Sequence, residues 1–130
     1  MSYLTHVINQ SPTIYGEANA DITAPAMKAV ALNSSGKVIL PAASGDLAIG
    51  IVLADAANIP AGGRVNIQIK DICFALAGET IKRGDVLMAH TDGSVKKATA
   101  GKQTIGIALA DAASGKPVEM SIMHTLIASA

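Results

Sequence analysis

The chain has 130 residues, half of them apolar but with only Tyr3, Tyr15 and Phe74 as aromatics, and its ten basic residues balance ten acidic ones. A single domain of this size can bury a core without disulfides or metal, and that core has to be assembled from Ile, Val, Leu, Met and Ala. With no Lys or Arg before Lys28 and no net charge, the sequence offers no electrostatic footprint for a nucleic acid and no basic region of a leader peptide.

Residues 1–24 mix single apolar side chains with Asn, Gln, Ser, Thr and Gly, and read as an extended N-terminal arm. Tyr3, Leu4, Thr5, His6, Val7, Ile8, Ile14 and Tyr15 are its β-capable residues, suited to adding a strand to another chain through backbone hydrogen bonds and alternating side chains. The other reading of the same residues is a strand tied into the chain's own sheet.

Next comes "PAMKAV" (25–30), then "AVALNSSGKV" (29–38), an apolar run broken by a polar turn ending in Gly36, which predicts a hairpin. "IGIVLADAA" (49–57) predicts a strand running into a small-residue connection, and the apolar run from Ala48 stops at Asp55, far short of the ~20 residues of a membrane span. "VNIQI" (65–69) alternates at period two, as a half-buried strand does. Cys73, the single cysteine, lies between Ile72 and Phe74 and reads as a small buried hydrophobe.

"GETIKRGDVL" (78–87) joins this half to a second in which the pattern returns. "VLMAHTDGSV" (86–95) matches the first hairpin, "IGIALADAA" (105–113) nearly repeats the nonapeptide, and "VEMSI" (118–122) matches "VNIQI". Gly recurs and β-branched residues crowd the periodic segments, so alanine's helical preference is overridden. The expectation is an all-β fold: a small β-barrel or sandwich-like domain over 25–130, made of two pseudo-repeated lobes (about 25–77 and 78–124) behind the arm of 1–24.

Catalytic patterns are missing: there is no G-x-S-x-G, H-E-x-x-H or C-x-x-C string, and His6, His90 and His124 fall in separate segments. No catalytic residue, metal site or cofactor is expected, and the chain does not read as an enzyme. Asp55 and Asp111 are matched between repeats and read as turn caps that accept backbone N–H bonds.

Two resemblances follow from these strings. Ala26-Met27-Lys28 resembles the lysine-bearing tip of biotinyl or lipoyl carrier domains, which would make Lys28 an attachment site. Here, however, "GDVLM" follows the lysine instead of preceding it, Ala29 stands in place of the second Met, and Pro25 replaces an acidic residue. The longer stretch "TAPAMKAVALNSSGKV", followed by "GDLAIGIVLADAA", resembles the head decoration proteins of lambda-type phages. The repeated "IGI" strand with "GETIKRGDVL" between copies is similar to the wider group of phage capsid cement proteins.

That second resemblance, covering roughly residues 23–123, implies a homotrimer made in the host cytoplasm and placed on the outer surface of the virion. It would bind the major capsid protein at three-fold or quasi-three-fold points of the expanded shell and hold the shell against internal DNA pressure. It implies no direct contact with nucleic acid or membrane. A small phage β module that binds some other ligand is the remaining alternative.

Overall fold

A computed structural model describes residues 12–54 and 56–125. They form twelve strands: β1 (Thr13–Glu17), β2 (Ile22–Thr23), β3 (Ala29–Leu32), β4 (Val38–Ile39), β5 (Gly50–Val52), β6 (Asn58–Ile59), β7 (Arg64–Gln68), β8 (Ile72–Leu76), β9 (Val86–Ala89), β10 (Val95–Lys97), β11 (Thr104–Ala108) and β12 (Pro117–Thr125). No helix occurs among the described residues, as the β-branched periodic segments predict.

The strands make two five-stranded antiparallel sheets in the orders β1-β7-β5-β3-β4 and β10-β9-β11-β12-β8, with β2 and β6 paired separately. Replacing β1, β7, β5, β3 and β4 by β8, β12, β11, β9 and β10 converts the first order into the reverse of the second, so the two sheets are the same motif. Both predicted hairpins are present, with Leu32 opposite Val38 and Ala89 opposite Val95. In each turn a glycine N–H returns to the first turn carbonyl, Gly36 to Asn33 at 3.0 Å and Gly93 to His90 at 2.9 Å, and both glycines have positive φ.

The repeated "IGI" has a steric reason. A side-chain carbon on Gly50 would lie 2.1 Å from the Gln68 carbonyl oxygen, and one on Gly106 would lie 2.4 Å from that of Ser121. Only glycine lets the neighbouring backbone come this close. The strand through this point is short in the first lobe and longer in the second, where β11 carries an irregularity between Thr104 and Gly106.

By sheet membership the first lobe begins at β1 and the second at β8. Thr13–Glu17 pairs with β7, Tyr15 opposite Asn66, just as β8 pairs with β12, Phe74 opposite Glu119. The parallel bridges Ala18 to Val38 and Ala77 to Val95 repeat the match. The lobe boundary thus differs from the one drawn through residues 24 and 77. The equivalence of Tyr15 with Phe74 is hidden in sequence because the flanking residues diverge.

The first lobe has its own core around Val30, Val52, Val65 and Ile67. The second lobe's core of Leu87, Ile105, Val118 and Met120 also takes in Ala29, Ala48 and Ile51 from the first lobe. The lobes therefore share apolar burial, the dominant favourable term in folding.

Candidate interaction surfaces

The described residues contain no cluster of three or more His, Cys, Asp or Glu placed to hold a metal. Cys73 is buried in the shared core, and burial pushes its thiol up to about 11, so at neutral pH it is protonated and a poor nucleophile. His90 sits at the shoulder of the second hairpin and His124 on β12. Asp55 lies outside the described residues. Asp111 accepts a backbone N–H as a cap does, but a distant one, from Arg83 at 2.8 Å in the segment between β8 and β9.

Beside His90, Asp92 accepts both the backbone N–H and the hydroxyl of Ser94, at 2.9 and 2.6 Å. Partial burial works to raise its pKa, but the two Ser94 bonds and the His90 charge outweigh it, and the carboxyl ends below the ordinary aspartate value. In the first hairpin an uncharged amide does this work from a different place, the one His90 occupies in the second: Asn33 Oδ1 accepts the N–H groups of Ser35 and Lys37, each at 2.9 Å.

Lys28, the candidate attachment lysine, is engaged by its own chain. Its Nζ donates to the Thr23 carbonyl at 2.8 Å, and its methylenes lie over Gly93 of the second lobe. Next to it, Met27 has φ of 63°, the region that favours glycine, and the equivalent turn in the second lobe does place Gly84 there. Met27 N–H donates to Val52 O and Gly84 N–H to Ala108 O, which makes the two turns counterparts.

The surface features that stand out are apolar. One groove of about 470 Å³ is lined by Ile14, Leu32, Leu47, Ala48, Ile49, Ile69 and His124. A second recess of about 560 Å³ lies where the lobes meet, between Met27, Val52, Leu53, Gln68, Ile72, Cys73, Phe74 and Pro117. Leu32, Leu47, Leu53, Ile72 and Phe74 are large side chains left exposed at these places, a pattern that marks interaction surfaces.

Of the eight arm residues singled out by sequence, Tyr3, Leu4, Thr5, His6, Val7 and Ile8 lie outside the described residues. Ile14 and Tyr15 lie within β1. The Ile14 side chain lines the first groove, whereas Tyr15 is exposed on the outer face with the Arg64 guanidinium 4.0 Å from its ring centre. Leu32, Ile49 and Ile69 were not singled out in sequence, because each reads as an ordinary strand residue and only the sheet brings them together.

No curated protein matches the chain. Among solved structures it is similar to the N-terminal base of the head fiber protein gp8.5 of bacteriophage phi29. The likeness has 19% identity and a TM-score of 0.63 over 89% of this chain and 97% of that one, and so concerns the fold. The family model that matches describes the XM1 gp53 minor capsid protein and runs from residue 5 to residue 122, across both lobes and the connection between them. By that match, this two-lobed chain belongs to the XM1 gp53 minor capsid protein family.

Proposed function

We propose that the chain is a decoration, or cement, protein of a tailed phage. It binds the major capsid protein on the outer surface of the expanded icosahedral shell, as a homotrimer at three-fold or quasi-three-fold positions, and stabilises the shell against the pressure of packaged DNA. The observation that carries this reading is the family match to a minor capsid protein over residues 5–122. The exposed apolar surfaces support it, since a structural subunit acts through broad contacts rather than through chemistry. On this reading Tyr3, Leu4, Thr5, His6, Val7 and Ile8 form the segment that adds a strand to the capsid subunit.

The experiment is co-sedimentation with expanded, empty shells of the phage that encodes the chain, comparing the full chain with one that lacks residues 1–11. The cut stops before β1, because Thr13–Glu17 is paired with β7 and its removal would damage the first lobe. Saturable binding by the full chain, lost on truncation, is the expected result. Binding that survives truncation would shift the anchor to the lobes, and absence of binding by the full chain would overturn the cement reading.

A second reading, the base of a fibre on the head surface, is favoured by the likeness to the phi29 head fiber base. Cryo-electron microscopy of decorated heads separates the two. Density that bridges neighbouring capsid subunits supports cement, and an isolated attachment carrying a projecting rod supports a fibre base. The carrier alternative at Lys28 predicts a covalent mass adduct on that lysine.

A further inference from the structure

The contact between the lobes has two unlike halves. The first lobe contributes Ala29 and Ile51, and the second receives them among Cys73, Ala89, Ile105 and Ile122 in one buried cluster. Backbone bonds fasten the contact: Ala29 N–H to Gly93 O at 2.7 Å and Gly45 N–H to Ala89 O at 2.8 Å.

Mapping each half through the internal repeat gives a pair of surfaces that the single chain leaves unused. The strand registers place Ile14, Leu32, Ile49 and Ile69 where the receiving lobe has Cys73, Ala89, Ile105 and Ile122. These four line the open groove, and Leu32 is 46% exposed where Ala89 is 1% exposed. The inserted half maps from Ala29 and Ile51 to Val86 and Ile107, which are opposite one another on the second sheet, and Val86 is 43% exposed. The glycines agree. Lys28 fills the space over Gly93 and Lys102 that over Gly45, while the space over their counterparts Gly36 and Gly101 is open.

We infer that the groove of Ile14, Leu32, Ile49 and Ile69 receives the Val86 and Ile107 face of a second copy of this chain, repeating between molecules the contact already made between lobes. Such an interface is head-to-tail, and it closes into a ring when the rotation allows. The inference takes only the number of copies, three, from the trimer reading above, which would arrange six lobes in a ring. Leu32 is larger than Ala89 and Val86 larger than Ala29, so this contact is made between side chains, without the close backbone approach of the internal one. Apolar burial then dominates it, and salt has little effect on it.

The test is light scattering coupled to size exclusion on the purified full chain, with no shell present, so its outcome is independent of capsid binding. Wild type is expected at the mass of three chains, at low and high salt alike. Leu32→Glu spoils the groove and Val86→Glu the inserted face, and each alone should drop the mass to a single chain. Mixed in equal amounts, the two variants should recover a two-chain species, because each keeps the half the other has lost.

Circular dichroism and melting check that the variants are folded, and Leu32→Ser with Val86→Ser serve as milder substitutes. Wild type at single-chain mass at every concentration would overturn the inference. So would a Val86→Glu variant that stays assembled, which would mean a groove-to-groove contact. Assembly abolished by removing residues 1–11 while Val86→Glu remains assembled would make the chain's own N-terminal segment the occupant, and would also overturn it.

Discussion

The two lobes follow the same path with different residues at the same places, and the differences track what lies against each lobe. Where the first lobe presses on the second, the receiving positions are Cys73, Ala75 and Ala89, all buried; on the side of the first lobe left as an open groove, the equivalents are Ile14, Gly16 and the exposed Leu32. The comparison teaches that the repeat conserves turns and close approaches while side-chain volume is adjusted to the neighbour. The lobes also differ beside the "IGI" strand. β2 and β6 form a two-residue ladder in the first lobe, Ile22 opposite Ile59, whereas in the second the shorter loop leaves one bridge, Ile81 to Ala112.

The most severe way to break the comparison is at the shared glycines. Gly50→Ala and Gly106→Ala each force a carbon against a backbone carbonyl that cannot move without shifting a strand. Each is expected to cost about 3 kcal/mol or more, read from denaturant midpoints. Similar losses would uphold the equivalence of the two strands, and tolerance at one site would break it.

A smaller effect separates covered from open sites. Ile105→Ala empties a position that is 1% exposed and is expected to cost about 3 kcal/mol. Ile49→Ala, at the partly exposed groove, is expected to cost roughly 1 kcal/mol in the dilute single chain, and to weaken self-association besides. Equal losses in the dilute chain would mean that the groove is already covered.

The smallest effect distinguishes the hairpins by pH. Because the Asp92 carboxyl lies below its ordinary value of 3.8 in the folded chain, its contribution is present above that value and is lost as pH falls through the lowered one. Asp92→Asn, which replaces the carboxylate with an uncharged amide acceptor, should therefore reduce the slope of stability against acid pH slightly. Asn33→Ala should lower stability by about 1 kcal/mol without altering that slope. Thermal melts across acid pH read both, and an unchanged slope in Asp92→Asn would show that the Ser94 bonds do not favour the charged form.

Much of the fold was legible in sequence because its causes are local. The turn glycines, the period-two alternation of "VNIQI" and "VEMSI", and the recurrence of "IGI" each report a constraint acting within a few residues, and together they specify an all-β chain of two lobes. β1 was harder to place. Its match to β8 rests on Tyr15 against Phe74 and Ala18 against Ala77, with unlike residues between, so it reads equally as a free arm. The groove as a unit was not legible, since Ile14 on β1, Leu32 on β3, Ile49 just before β5 and Ile69 just after β7 are far apart in the chain and only the folded sheet brings them together.

What the sequence determined by itself is therefore the set of elements, their turns and their twofold repetition, because hydrogen bonding and φ preferences act along the chain. Only the tertiary structure decided which lobe inserts and which receives, and so which of two equivalent apolar surfaces is buried and which is left open. The reason is physical. The repeat supplies both lobes with both kinds of surface, but a chain of two lobes can join only one pair of them within itself.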